Sequence, residues 1–292
     1  MIAAVLFAAA MVCFPQVTET GSKSAIVIWA NSIVPVLLPF FIFSDFIKRA
    51  GILDKLPIRI YPFLAAFLSG YPMGAKVTGD LVTERRLTAE TGRHILSYSL
   101  VTGPAFLMGV VGGFLGSTEA AAVTAAAHYG GALLNGLLWT SKEELKNSFG
   151  KSSRSYAART SGLFAEFSSS IMAGFGAMAV ILAYLMLFMI GINLLEETGM
   201  FALAENETFT SVVKGLMEMT AGVSMIGTCN ISLEMKTVLS AFLVSFGGLS
   251  VIGQSVSMAE GSGIRLYHIL QIKTTHGLLA GILAVIFSRF VL

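Results

Sequence analysis

The residues of this sequence that could do chemistry gather where its apolar runs are interrupted. Ser69-Gly-Tyr-Pro-Met-Gly-Ala-Lys76 places a hydroxyl, a phenol, two glycines and a cation around a proline, inside a segment that begins like a membrane helix. Glycine and proline so close together free backbone amides and carbonyls. In hydrocarbon such a break survives only buried in protein or lining a cavity. Ser69, Gly70, Tyr71 and Gly74 would then offer hydroxyls and freed amides at a tip, where helix N-termini favour anions. A cation at membrane depth is costly and is usually paired or functional. Lys76 suits a counter-ion for a carboxylate. Snorkelling to the interface, or pairing with Asp80 at i+4, fits as well. Ser99 and Thr102, beside the break Val101-Thr-Gly-Pro104, would face the same tip.

A second constellation lies in the C-terminal half. Glu218, in Glu218-Met-Thr-Ala-Gly222, is the acid of its apolar segment. It can pair with Lys76, carry a coupling proton, bind Na⁺, or pair with Lys214 one turn earlier. Thr220, Gly247, Gly248, Ser250 and Gln254 would complete this half. Gln254 both donates and accepts, which suits a planar polar solute. His128 and His276 are more often packing residues than ligands. HExxH, GxSxG, P-loop and Cys/His-cluster patterns do not occur, so metal hydrolysis and acyl or phosphoryl transfer have no support. No enzyme activity and no cofactor are expected; the coupling ion, Na⁺ or H⁺, stays open. Cys13 and Cys229 have no CxxC spacing and read as inert.

The elements that must position these residues are membrane helices. The 292 residues are 55% hydrophobic and 12% charged, where soluble domains carry roughly 25% charge. Apolar runs of about 17–25 residues match the bilayer core. Nucleic-acid binding finds no basic domain to support it. Spans are expected at about 2–17, 25–47, 94–116, 119–139, 168–195, 237–259 and 265–291. Thr18 to Ser24 reads as a polar link, and Asn31, inside the second span, should face inward. Interrupted hairpins are expected at about 60–83 and 208–234. Lys48, Arg49, Lys55 and Arg59, then Arg85, Arg86 and Arg93, then Lys142, Lys146, Lys151, Arg154 and Arg159 hold most of the chain's 19 Lys and Arg. The positive-inside rule puts those three links and the N-terminus in the cytoplasm, and the acidic link 196–207 outside.

The two halves match weakly. Leu96-Ser-Tyr-Ser-Leu-Val-Thr102 is similar to Leu239-Ser-Ala-Phe-Leu-Val-Ser245, and Ala127-His-Tyr-Gly130 to Thr275-His-Gly277. The order in each is helix, broken hairpin, broken helix, His-containing helix. One hairpin starts inside and the other outside, which makes an inverted repeat whose breaks meet near the midplane to bind solute. The organisation is then an N-terminal helix and link (1–24), a first repeat (25–139), a basic cytoplasmic linker (140–166) and a second repeat (167–292).

Ser69-Gly-Tyr-Pro-Met-Gly-Ala-Lys76, Thr102-Gly-Pro104, Glu218-Met-Thr-Ala-Gly222 and Phe246-Gly-Gly-Leu-Ser-Val-Ile-Gly-Gln254 together resemble the sporulation integral membrane proteins with nucleoside-recognition "gate" domains. The resemblance covers nearly the whole chain and is nearest the stage V type, which moves dipicolinic acid across the mother-cell-derived membrane around the forespore. Ile252 stands where that family's pattern usually has a His. The resemblance implies an all-α polytopic membrane protein similar to concentrative nucleoside transporters, with two re-entrant hairpins and two broken helices. It implies a bacterial membrane transporter of a small polar, anionic solute, dipicolinic acid first, working by alternating access. A nucleoside permease and a non-transporting membrane scaffold in spore maturation are the alternatives. The expected partners are the solute and the lipid bilayer, with a homo-oligomer left open.

Overall fold

The computed structural model describes residues 2–49, 56–140, 162–203 and 206–292, and every regular element among them is helical. The chain runs through α1 (Ile2–Cys13), α2 (Pro15–Ile28), a π-helical turn (Trp29–Ile33) and α3 (Val34–Arg49). Next come α4 (Tyr61–Ser69), α5 (Met73–Thr83), α6 (Ala89–Ser99), a second π turn (Phe106–Val111), α7 (Gly112–Leu115) and α8 (Thr118–Leu138). The C-terminal half holds α9 (Leu163–Glu197), α10 (Glu207–Met217), α11 (Met219–Thr228), α12 (Leu233–Phe246), α13 (Gly248–Met258) and α14 (Leu266–Val291). Most of the expected basic linker 140–166, part of the 48–59 link and part of the acidic link lie outside the described residues.

Four stretches among the described residues are long and apolar enough to cross a membrane, rather than the seven expected: Pro15–Ile47, Leu163–Glu197, Leu233–Met258 and Leu266–Val291. The shortfall has clear causes. α1 is only 12 residues long. The third expected span is cut into pieces around Leu100–Pro104. α8 carries Thr124, His128 and Asn135 on its buried face, which lowers its hydropathy.

The expected polar link Thr18–Ser24 is helical instead. Pro15 starts this helix at its first turn, where a missing N–H costs nothing. The Thr18 and Ser22 hydroxyls donate to carbonyls four residues back, at 3.0 and 2.9 Å. Glu19 and Lys23 pair at i,i+4. Polar side chains that bond their own helix do not end it. Gly21 then lets α2 cross α9 closely: a Cβ there would lie 2.9 Å from the Ile190 Cα. Small residues at such crossings are what let membrane helices approach. Asn31 is exposed, not inward-facing. The inward polar contact of this region is the Trp29 indole N–H, which donates to the Met178 carbonyl at 2.9 Å.

Two segments fold back on themselves as helical hairpins. α4 packs on α5 across Gly70–Pro72. α10 packs on α11 across Glu218, with Gly222 against Gly215 and the Ser211 carbonyl. The second hairpin ends at Thr228, earlier than expected, because Gly227–Asn230 terminates α11 rather than lying inside it. α14 packs against α8 and α12 at the centre. Gly131 permits the first of these contacts, since a Cβ would sit 3.0 Å from the Ala280 amide.

Asn135 ties three helices together here. Its amide donates to the Ser97 carbonyl of α6 at 2.8 Å and the Ile272 carbonyl of α14 at 3.1 Å. Its carbonyl accepts from the Thr275 hydroxyl at 2.6 Å. Side-chain hydrogen bonds between membrane helices average about 0.6 kcal/mol each, so Asn135→Leu should cost about 2 kcal/mol. Thermal unfolding of the purified protein should show a lowered midpoint; an unchanged midpoint would contradict the tie.

Candidate functional site

Each helix break exposes backbone groups, and the structure shows what satisfies them. Gly70 has φ +66°, a conformation that side chains with a Cβ rarely adopt, so glycine lets α4 turn sharply into α5. The tip abuts the break after α6: a Cβ at Gly70 would lie 3.4 Å from the Gly103 amide. Gly247 and Gly248, at φ +85° and +67°, make the equivalent turn between α12 and α13. A Cβ at Gly248 would lie 3.1 Å from the Gly215 and Met217 carbonyls, at the tip of the second hairpin. So each hairpin tip is pressed against the broken segment that follows it.

α8 holds the first break open. The Thr102 backbone N–H donates to His128 Nε2 at 3.1 Å, and the Thr102 carbonyl accepts from the Tyr129 hydroxyl at 2.9 Å. Because Nε2 accepts, the neutral ring carries its proton on Nδ1, which donates to Ser245 Oγ at 2.8 Å. His276 Nε2 donates to the His128 carbonyl at 2.9 Å, with the two rings 4.8 Å apart. Both histidines are therefore hydrogen-bonded packing residues at the break.

The second break is held by Glu218. Its carboxylate accepts from the Ala221 amide at 2.7 Å, capping the N-terminus of α11, and from the Ser250 hydroxyl at 3.4 Å. An anion at a helix N-terminus is stabilised by the exposed N–H groups. Lys214, one of the partners open to it in the sequence, bonds Glu196 at 2.9 Å instead.

The breaks line a cavity of about 60 Å³. Its polar wall is Gly70 and Tyr71 from the first tip, Thr102 and Gly103 from the first break, Glu218 and Thr220 from the second tip, and Gln254 from α13. Apolar residues from α3, α9 and the two π turns close it, among them Ile33, Leu37, Phe106 and Leu185. A larger space of about 220 Å³ adjoins it, sharing Phe41, Tyr71, Ile181 and Gln254. That space runs past Ser69 and Pro72 to Asp45 and Lys76, along the small-residue face Ala173, Gly174, Gly176 and Ala177 of α9. The Ser69 hydroxyl is buried and has no hydrogen-bond partner among the described residues.

The expected site residues divide accordingly. Gly70, Tyr71, Thr102, Glu218, Thr220 and Gln254 converge on the smaller cavity, and Ser69 and Lys76 line the larger one. Ser250 acts through Glu218. Gly74, Ser99 and Gly248 line neither cavity: Gly74 packs directly on the Ser99 carbonyl, and Gly248 on the second tip. Lys76 is half-exposed and pairs with Asp80 at 3.3 Å, not with Glu218. Its i+4 partner and a position one turn beyond the tip keep it at the polar edge.

The buried cation of the site is one that the sequence reading passed over. Lys273 of α14 is fully buried. Its ammonium donates to the Tyr71 hydroxyl at 2.6 Å and to the Leu100 carbonyl, at the C-terminal end of α6, at 3.1 Å. Tyr71 in turn donates to the Val244 carbonyl at 3.0 Å. One side chain thus joins the first tip, the first break and, through Tyr71, the helix before the second break. The available signal was its register: Ile269, Ile272, Lys273, His276, Gly277 and Ala280 share the buried face of α14.

This fold, with its long apolar helices and polar breaks closed over an internal cavity, defines a multi-pass α-helical membrane protein. Over 94% of its length the chain is 23% identical to the sporulation integral membrane protein YlbJ of Bacillus subtilis (strain 168), covering 78% of that protein. No family model matches the sequence, and no solved structure matches it.

His128→Leu should leave the Thr102 amide and the Ser245 hydroxyl unpaired, at a cost of about 1–3 kcal/mol each. The unfolding midpoint should fall, and amide exchange at residues 100–103 should rise more than in α14. Equal exchange in both places would show that His128 only fills space.

Proposed function

We propose that this chain is a membrane transporter of a small polar solute in spore-forming bacteria, with dipicolinate the first candidate. The observation that carries the reading is the convergence of three helix interruptions, the two hairpin tips and the first break, on one internal cavity that adjoins a space of about 220 Å³. Irregular backbone inside a membrane protein is tolerated where it lines a cavity, and paired interrupted helices are the usual seat of solute binding in transporters. A role in sporulation is supported by the similarity to YlbJ, which is named for it.

On this reading the two hairpins are re-entrant and the halves form an inverted repeat. The matching helices α8 and α14 cross closely, with the matching residues His128 and His276 beside the crossing. That is where a two-fold axis in the membrane plane would pass. Each tip abuts its own broken helix in the same way. The larger space, reaching Lys76 and Asp45, is the entrance on the basic, cytoplasmic side. Alternating access would close it by moving the first tip and open the Glu218 tip to the other side. The solute and the bilayer are the partners this mechanism requires.

A second reading has its own support. The smaller cavity is lined by a carboxylate and a carboxamide and by no Lys or Arg among the described residues, which suits a neutral nucleoside. A dicarboxylate can share the cavity with the Glu218 carboxylate only if a positive charge, from the protein or from a bound cation, offsets it, because like charges at short range repel. Dipicolinate and uridine binding to the purified protein separates the readings. The transporter reading expects dipicolinate to bind with a dependence on Na⁺ or on pH that Glu218→Gln abolishes. Uridine binding alone would move the assignment to a nucleoside permease, and binding of neither would favour a scaffold. Thiol labelling of single cysteines at Glu84 and Glu197 should come from opposite membrane faces; labelling from one face would overturn the inverted repeat.

A further inference from the structure

Lys273 is the largest of the fully buried side chains, with no exposed surface, and among the described residues no carboxylate pairs with it. An unpaired cation at that depth is expensive unless something compensates it. Its neighbours do so only in part. Two of its three N–H groups are taken, by the Tyr71 hydroxyl and the Leu100 carbonyl. The ammonium also lies 4.3 Å from the centroid of the Tyr71 ring. The Leu100 carbonyl ends α6, where the helix dipole favours a cation. These are dipoles, and the full negative charge that would match the ammonium is missing.

Tyr71 is the residue between Lys273 and the cavity. It lines both the smaller and the larger space, while Lys273 lines neither. The Lys273 amine therefore stands one ring behind the solute wall, where a carboxylate in the cavity would favour its charged form. Glu218 lines the same cavity from the opposite tip with a negative charge. Lys76, the other cation near the site, is half-exposed and already paired. In a low-dielectric interior a charge one ring away still acts strongly on an occupant.

We propose that Lys273, acting through Tyr71, is the specificity-determining charge of the solute site: it offsets Glu218 and makes the cavity accept a carboxylate-bearing solute. This rests on reading the cavity as the solute site. Lys273 is a positioning residue in the sense that it meets the solute through the tyrosine rather than directly.

The test uses the purified full-length protein and two probes of one shape, dipicolinate and the uncharged pyridine-2,6-dimethanol. Lys273→Met should weaken dipicolinate binding by about tenfold or more and leave the dimethanol within about twofold. Lys273→Arg, which keeps the charge, should restore the preference for dipicolinate. Lys273→Gln, which keeps a polar side chain but removes the charge, should show the same selective loss as Lys273→Met, and it serves if the methionine variant does not fold. Equal weakening of both probes in Lys273→Met and Lys273→Gln, or no weakening, would overturn the proposal. Wild-type protein that binds neither probe would overturn the solute-site reading itself, a distinct result.

Discussion

Backbone amides and carbonyls released inside an apolar protein must find partners, and this constraint shapes the centre of the molecule. Water cannot reach them, and an unpaired buried group costs about 1–3 kcal/mol. Helical bonding stops at Gly70, Leu100–Pro104, Glu218 and Gly247. Side chains answer two of those stops: His128, Tyr129 and Lys273 at Leu100–Pro104, and Glu218 at its own turn. Three of the four come from α8 and α14, the two helices that cross at the centre. The breaks are therefore held by fixed hydrogen bonds and are part of the fold, not loops lying on it.

That arrangement links packing to function. The groups that stabilise the breaks also bring polar atoms to one place, since each tip packs directly against its neighbouring break. Tyr71 shows the coupling most fully. Its hydroxyl accepts from Lys273 and donates to Val244, while its side chain forms part of the cavity wall. A movement of the first tip cannot occur without altering those bonds. The small-residue face of α9 beside the larger space leaves room for such movement.

Much of this was legible in the sequence, because glycine and proline mark breaks directly. Gly70 to Pro72 and Gly247–Gly248 were read correctly as interruptions, and six of the expected site residues meet at one cavity. The turn at Glu218 carries neither glycine nor proline; the acid itself makes it, by capping the following helix. Thr18 to Ser24 looked like a link because composition does not reveal that hydroxyls bond their own helix. Lys76 follows the first tip in sequence and suits a counter-ion there as well as a pair with Asp80; the structure shows the pair. Lys273 lies 202 residues from Tyr71, and only the tertiary crossing of α14 brings them together. Asp80, one turn after Lys76, was the local sign that Lys76 has another role.

The central claim is that the breaks of both halves enclose one solute cavity. The most direct measurement is the labelling rate of a single cysteine at Thr220, on the second tip, by a small neutral thiol reagent. The account expects saturating solute to slow that labelling sharply, while a cysteine at Thr198, beyond the end of α9, reacts unchanged. Solute that binds the protein and leaves the Thr220 rate unaltered would contradict it.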